Sequence, residues 1–454
     1  MNGLIAAIST AWGESGISVV RVSGKGSRDL VDGFFRGGVS LGETPPRFMR
    51  NGFITDNDGA EIDEVLAVWF REPKSYTGEE MAEIQCHGGT VAARRCLERC
   101  ISLGARMALP GEFTRRAFMN GRIDLAQAES VLGIIRARSD RSLRSAAKCL
   151  QGSLSARVKK IDEELLELSA LGEASLDYPE EDIPTLEMDF FIKGLSKTGE
   201  KIRTLLSSAR SGRFLREGVR VAIAGRPNVG KSSLMNAFLQ ESRSIVTSLP
   251  GTTRDIIEEV ITHKGIPLRL VDTAGIRLPK DPAEQEGVER AREAVQKSDI
   301  RVWVIDGSEP LSDDDLALST SLQGTCHVVA LNKSDLPQAV NVTDIIKILP
   351  GADVRVISTV SGEGIESLKD LIVLSSAGIT SMDEDLNTTE RQITEMSMAL
   401  DLVINTMDSL TAGAPVDTAL ETLSEARSCL GRIIGVDADE SLMEKVFSSF
   451  CIGK

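Results

Sequence analysis

The chain has 454 residues, of which 41% are apolar, and this length is enough for about three domains with buried cores. Only 4% of the residues are aromatic and the formal net charge is −15, which argues against an extensive base-stacking platform and against RNA binding by bulk electrostatics. Seven scattered cysteines, no C-x-x-C pair, no long apolar run and no basic-then-apolar N-terminus predict a reduced, cytoplasmic protein that uses no membrane.

Residues 1–118 have the pattern of a mixed α and β domain. Residues 17–22 and 64–70 alternate in polarity as strands do, and a turn at 76–79 is followed by residues 81–89 and then by a helix that runs through Cys96. His87 lies beside two glycines, so it could be a catalytic base or a structural residue of a turn. Composition alone assigns no chemistry to this domain.

From residue 119 to residue 217 the periodicity is helical. Asp124 and Gln127 have the spacing of a capping box, and apolar residues then recur on one helix face. Eight basic residues and one acid, Asp140, lie between 136 and 160, so this run could contact RNA phosphates or could simply be a solvated helix face. A long helix follows, breaks at 177–182 and gives way to another that reaches about residue 216.

Residues 225–232 read Gly-Arg-Pro-Asn-Val-Gly-Lys-Ser and match the phosphate-loop pattern at every constrained position. The β-branched segment 220–224 before the loop and the helical segment 233–239 after it supply the strand and helix that the motif requires. Lys231 can neutralise β- and γ-phosphate oxygens, and Ser232 can offer its hydroxyl to Mg²⁺. The predicted contacts are Asn228, Val229, Gly230, Lys231, Ser232 and Ser233.

Two further motifs follow strands in the order that a GTPase requires. Residues 268–271 lead into Asp272-Thr273-Ala274-Gly275, where a carboxylate can hold Mg²⁺ through water and a glycine amide can meet the γ-phosphate. Residues 328–331 lead into Asn332-Lys333-Ser334-Asp335, whose last carboxylate can accept hydrogen bonds from both N1–H and the 2-amino group of guanine. The middle of the chain, 218–378, is therefore predicted to be a GTPase domain.

Helical periodicity returns after this domain, in three apolar faces between residues 393 and 450. The simplest arrangement is one helical domain, made of 119–217 and 379–454, into which the GTPase domain is inserted. The predicted fold is multidomain: an α+β N-terminal domain and an all-α domain that is interrupted by an α/β P-loop domain.

With these elements in place, the chain resembles the MnmE (TrmE) family of tRNA-modification GTPases along nearly its whole length. Besides the GTPase motifs, the resemblance rests on Val20-Arg21-Val22-Ser23-Gly24, Ser75-Tyr76-Thr77-Gly78-Glu79, Cys86-His87-Gly88-Gly89, Pro110-Gly111-Glu112-Phe113-Thr114, Asp124-Leu125-Ala126-Gln127-Ala128-Glu129 and the terminal Phe450-Cys451-Ile452-Gly453-Lys454. It implies a folate-binding, dimerising N-terminal domain, a Ras-like G domain and a heterotetramer with the flavoprotein GidA/MnmG. The complex would install a carboxymethylaminomethyl-type group at C5 of the wobble uridine of certain tRNAs.

The resemblance also implies site residues. Arg21, Glu83, Arg122 and Lys454 match contacts to 5-formyl-tetrahydrofolate or a related tetrahydrofolate, with Arg122 where lysine is common. The loop Thr247-Ser248-Leu249-Pro250-Gly251-Thr252-Thr253 matches a nucleotide contact segment. Within it, Thr247, Leu249 and Thr252 join Asn228 on K⁺, and Thr253 joins Ser232 on Mg²⁺. The fifth guanine motif, usually Ser-Ala-Lys or Ser-Ala-Arg, is Ser358-Thr359-Val360 here, and Ala11-Trp12-Gly13 replaces the usual Pro-Pro-Gly.

Two residues are predicted to be catalytic. Family position indicates that Glu284 orients the attacking water, and Glu286 is a close alternative. Without the resemblance, this segment could simply be a solvated acidic loop with no catalytic role. Cys451 could be a small buried hydrophobe or an exposed, reactive thiol, and the resemblance favours the second, with the tail delivered to the folate site. The alternative function is an Era- or Der-like assembly GTPase that acts as an RNA or ribosome binding switch.

Overall fold

The computed structural model describes residues 3–137, 139–177, 188–240, 258–272, 298–322, 328–377 and 386–454. The chain divides into two compact units. The first comprises Met1–Leu132, Leu150–Gly199 and Glu395–Lys454, and the second comprises Gly133–Cys149 and Glu200–Thr394. Of the helices in the described part of the chain, none is long and apolar enough to cross a membrane.

The strands are β1 Ile5–Ile8, β2 Ile17–Ser23, β3 Phe35–Gly37, β4 Arg50–Thr55, β5 Glu61–Phe70, β6 Met81–His87, β7 Arg106–Met107, β8 Val219–Ala224, β9 Glu258–His263, β10 Ile266–Asp272, β11 Ile300–Asp306, β12 Val328–Asn332 and β13 Asp353–Val356. The helices are α1 Ser27–Asp32, α2 Thr90–Ser102, α3 Glu112–Met119, α4 Leu125–Ile135, α5 Asp140–Leu150, α6 Ser153–Asp177, α7 Met188–Glu217, α8 Lys231–Gln240, α9 Asp313–Leu322, α10 Val342–Ile348, α11 Ile365–Ala377, α12 Glu390–Thr411, α13 Val416–Ile434 and α14 Glu440–Phe447.

The first unit contains a seven-stranded sheet in the order β3-β4-β5-β6-β2-β1-β7, antiparallel except for the β1–β7 pair. Alternate residues of its strands, such as Val20 and Ile84, face a buried core that Cys96 and Cys100 of α2 help to fill. The predicted strands at 17–22 and 64–70 are confirmed as β2 and β5, although β5 already begins at Glu61. The six described cysteines are free thiols.

The helices of the first unit pack closely against one another. The predicted capping box of α4 is confirmed, because the backbone N–H groups of Asp124 and Gln127 each donate to the other residue's side chain at 2.9 Å. Helices α6 and α13 approach so closely that a Cβ at Gly172 would lie 2.8 Å from Leu420 Cδ2. An ion pair of 2.8 Å between Arg427 Nε and Asp162 Oδ1 also joins these two helices.

The second unit contains a six-stranded sheet in the order β13-β12-β11-β8-β10-β9, in which only the β9–β10 pair is antiparallel. Both faces are apolar because helices cover both: Val302 and Val304 of β11 face one core, while Trp303 and Ile305 face another. The predicted strands 220–224, 268–271 and 328–331 are confirmed as β8, β10 and β12. Their carboxyl ends meet at one edge, where ligands of open α/β sheets bind.

Candidate functional site

The phosphate loop connects β8 to α8, as the sequence predicts. Lys231 begins α8, and its Nζ donates to the carbonyl oxygens of Gly225 at 2.7 Å and Arg226 at 2.8 Å, so the ammonium closes the loop on itself. Asn228 is exposed with a left-handed φ of 66°, and Gly230 has a φ of 101°. Ser232 and Ser233 are exposed on the first turn of α8, where free backbone amides favour an anion.

Asn332, at the end of β12, ties the guanine motif to the phosphate loop. Its side chain is completely buried; Nδ2 donates to Val229 O at 2.9 Å, and Oδ1 accepts from the Thr359 amide at 3.2 Å. A Cβ at Gly230 would lie 2.2 Å from Asn332 Nδ2, so only glycine permits this approach. One amide side chain therefore holds together three segments that are distant in sequence.

Asp335 is exposed, and its carboxylate is held by a buried hydroxyl. Ser358 Oγ donates to Asp335 Oδ1 at 2.5 Å and accepts from the backbone amides of Val360 at 3.2 Å and Ser361 at 3.1 Å. Because those two amides occupy the acceptor side of the hydroxyl, its proton is directed to the carboxylate. The backbone amide of Ser334 donates to Ile357 O at 3.1 Å, which fixes the turn against β13.

Several predicted residues lie outside the described residues: Thr247, Ser248, Leu249, Pro250, Gly251, Thr252, Thr253, Thr273, Ala274, Gly275, Glu284 and its alternative Glu286. The backbone of Asp272 ends β10, beside the phosphate-loop strand, as the motif requires. The proposed roles of these residues stay predictions.

A second group of predicted residues meets in the first unit. Arg21 Nε donates to Glu83 Oε1 at 2.8 Å across the β2–β6 pair, and both side chains are largely buried. The guanidinium of Arg21 lies 5.0 Å from the ring centroid of Tyr76 and 5.6 Å from that of Phe113. Arg122 also lies 5.0 Å from the Tyr76 centroid, and its Nη1 donates to Tyr76 O at 2.6 Å. These contacts form a cage of cations and aromatic rings.

The C-terminal tail reaches this same cage. Burial lowers the pKa of the Lys454 ammonium, and the neighbouring Arg21 cation lowers it further, while Glu83 opposes them. Lys454 therefore lies within electrostatic range of both residues. Gly453 is buried, with Ile8 O so close that a Cβ would lie 2.3 Å from it. Cys451 is exposed, so the interpretation of this thiol as a buried hydrophobe is wrong.

The structure adds detail that the sequence motifs did not assign. Tyr76 and Phe113 belong to motifs of the family, but the sequence assigns their rings no role, since ring contacts depend on tertiary structure. Asp306 belongs to no motif, yet its buried carboxylate pairs with Lys333. His87 is exposed, and its Nδ1 lies 2.7 Å from Asp63 Oδ1, a pair whose hydrogen bond raises the pKa of the imidazole.

The basic run of 136–160 does not lie on one helix, because α5 ends at Leu150 and α6 begins at Ser153. On α5, Arg144 and Lys148 are exposed one helical turn apart. Contact of this helix with tRNA phosphates stays a prediction.

Comparisons with known proteins place the chain in a family. The family "MnmE helical domain" matches residues 125–451, and the family "GTP-binding protein TrmE N-terminus" matches residues 4–122. The tRNA modification GTPase MnmE of Aquifex aeolicus is 42% identical over 100% of both chains. That of Geobacter sulfurreducens is 42% identical over 99% of each. The G domain of the T. maritima FeoB iron transporter, 30% identical, covers 35% of this chain and 98% of its own, with a TM-score of 0.27.

These matches span both the N-terminal and the helical parts of the chain, as well as the GTPase motifs between them. The chain therefore belongs to the MnmE family of tRNA modification GTPases and is a GTP hydrolase that acts in tRNA modification.

Proposed function

We propose that potassium-activated GTP hydrolysis by this chain, with the flavoprotein partner GidA/MnmG, forms a carboxymethylaminomethyl-type group at C5 of the wobble uridine of certain tRNAs. The observation that carries the proposal is the position of the tail: Lys454 lies within electrostatic range of Arg21 and Glu83, and the exposed thiol of Cys451 is three residues away in the chain. An assembly switch of the Era or Der type needs no such tail, so the alternative is less well supported.

The nucleotide half of the proposal assigns a task to each motif. Asp335 accepts hydrogen bonds from guanine, and Lys231 exchanges its loop carbonyls for β- and γ-phosphate oxygens. Ser232 and Thr253 are the proposed side-chain ligands of Mg²⁺. Glu284 is proposed to orient the attacking water.

Potassium is proposed to take the place of an arginine finger. Asn228 supplies a neutral amide oxygen on an exposed, left-handed turn of the phosphate loop, which is a suitable hard ligand for an alkali cation. Thr247, Leu249 and Thr252 would complete the site. A cation held there adds positive charge where negative charge develops between the β- and γ-phosphates.

The folate half rests on Arg21, Glu83, Arg122 and Lys454. The charge of this donor set fits a tetrahydrofolate, because the cations suit the glutamate carboxylates of the cofactor. In addition, Arg21 Nη1 is buried and finds no hydrogen-bond partner within the described residues. When bound, 5-formyl-tetrahydrofolate or a related tetrahydrofolate would supply the one-carbon unit.

The proposal includes the assembly and the domain limits. We expect a homodimer through residues 1–118 that forms a heterotetramer with GidA/MnmG, and a helical domain, 119–217 and 379–454, interrupted by the G domain at 218–378. The proposed location is the cytoplasm, where charged tRNA is used.

The test is chemical analysis of tRNA from a strain that lacks this gene. We expect the C5 group to be missing, to return with the wild-type chain, and to stay missing with Cys451→Ser, which should still hydrolyse GTP with potassium stimulation because its G domain is intact. If the wobble uridine of the deletion strain still carries the C5 group at the wild-type level, the assembly-factor alternative is favoured. If the Cys451→Ser variant restores full modification, the Cys451 thiol takes no part in the reaction.

A further inference from the structure

Asp306 is a buried carboxylate at the nucleotide edge of the six-stranded sheet, although no motif includes it. It ends β11, its side chain is only 3% exposed, and it pairs in register with Asn332 at the end of β12. Because the carboxyl ends of parallel strands meet at one edge, Asp306 lies directly beside the guanine motif.

Both oxygens of this carboxylate have partners. Oδ1 accepts from the Ser308 amide at 3.0 Å and from Ser308 Oγ at 2.6 Å, while Oδ2 lies 2.5 Å from Lys333 Nζ. Burial by itself would raise the pKa of Asp306, but the hydrogen bonds from Lys333 and Ser308 outweigh burial and lower it. The Asp306 carboxyl is therefore ionised at neutral pH and holds the Lys333 ammonium in an ion pair.

The guanine motif itself is a turn with a left-handed residue. Lys333 has a φ of 64°, a conformation that costs free energy for a residue with a Cβ and persists only where contacts hold it. Its neighbour Asn332 is anchored to the phosphate loop, and Gln338 Nε2 donates to Lys333 O at 2.8 Å. The ion pair with Asp306 fixes the side chain of Lys333, two positions before the exposed Asp335.

We propose that Asp306 is a positioning residue for guanine recognition: it anchors the Lys333 ammonium and thereby fixes the turn that presents the Asp335 carboxylate to the base. This inference rests on the proposed binding of guanine by Asp335. Asp306 does not touch the base. It acts through Lys333, and Ser308 orients it from the side opposite the lysine.

The test compares GDP with IDP, which lacks the 2-amino group and therefore loses one of the two hydrogen bonds to Asp335. Asp306→Asn is isosteric, retains an acceptor for Ser308 and leaves Lys333, 31% exposed, free to reach water. We expect its affinity for fluorescently labelled GDP to fall and its preference for GDP over IDP to fall roughly tenfold, the worth of one well-aligned charged hydrogen bond. Ser308→Ala should lower the same preference by a smaller factor.

The matched control is Asp353→Asn, because Asp353 is exposed at the first residue of β13, where this parallel strand begins, at the edge of the sheet opposite the nucleotide. It should leave affinity and preference unchanged. A wild-type GDP-to-IDP preference that survives Asp306→Asn, with or without weaker overall binding, would overturn the inference and leave Asp306 a structural residue. If Asp306→Asn does not fold, Ser308→Ala decides, since an unchanged preference there has the same meaning. A wild-type chain without preference for GDP would instead contradict the proposed guanine site.

Discussion

Replacing Gly453 with alanine should separate the two activities of the chain. Gly453 has a φ of +95°, and an added Cβ would lie 2.3 Å from Ile8 O and 2.9 Å from Ser9 Cα. Both are backbone atoms at the end of β1, so neither can turn away as a side chain could. The left-handed conformation adds about 1–2 kcal/mol for alanine. The tail of Gly453→Ala should therefore leave the Arg21 cage.

The loss of stability should be small, because the tail can undock while Phe447 and Phe450 stay buried in their own cluster. The decrease in the free energy of unfolding cannot exceed the free energy with which the last residues dock, because an undocked tail loses nothing more. Gly413→Ala is the matched control: Gly413 has a φ of +88°, but nothing lies within 4 Å of its Cβ position. Both variants should have similar midpoints of thermal unfolding.

The assays are the C5 group of tRNA isolated from complemented deletion cells and GTP turnover by the purified chain. We expect Gly453→Ala to lose at least tenfold in modification rate and to keep wild-type GTP turnover, while Gly413→Ala keeps both. Wild-type modification by Gly453→Ala would refute the reasoning, because it would mean that the docked tail is not needed. Equal loss in the two variants would also refute it, since the cause would then be general destabilisation.

Three further predictions concern the nucleotide site and the basic helix. GTP hydrolysis should be much faster in K⁺ than in Na⁺, and Asn228→Ala should abolish that difference; equal wild-type rates in both salts would exclude the cation. Glu284→Ala should lower kcat with nearly unchanged nucleotide affinity, and the assignment is wrong if only Glu286→Ala does so. If α5 contacts tRNA, Lys148→Gln should reduce the slope of log affinity against log salt by about one, whereas exposed Lys347→Gln should not.

Much of the G domain could be predicted from local motifs, because each nucleotide-binding motif comes directly after the end of a strand in the sequence. A strand before the phosphate loop and a helix after it were both predictable, and the helix begins at Lys231, slightly before the segment whose spacing indicated it. The partner of Lys333 could not be predicted, since Asp306 reaches it only when β11 and β12 pair. Likewise, the apolar spacing of the last helix extends to Phe450, but α14 ends at Phe447 and Phe450 joins the same apolar cluster from beyond the helix, because apolar spacing indicates which residues are buried and not where a helix ends.

The second site depended on contacts that no local pattern contains. Arg21 and Glu83 face each other only because β2 and β6 pair in that register, and a shift of one strand by one residue would place the two side chains on opposite faces of the sheet. The stacking of Arg21 and Arg122 on Tyr76 requires three separate segments to meet. The resemblance to the family identified the residues of this site, but their arrangement depends on the pairing of β2 with β6 and on tertiary packing.

The close packing of α6 on α13 has a consequence for synthesis on the ribosome. Leu165 and Leu168 of α6 are buried in the complete chain, and Gly172 with Leu420 marks how tightly α13 covers that helix. Helix α13 leaves the ribosome only after the entire six-stranded sheet has been made. During that interval the apolar face of α6 lacks its final cover, and nascent chains with such faces tend to bind chaperones or aggregate. The nucleotide-binding sheet is therefore synthesised before α6 can receive the helix that covers it.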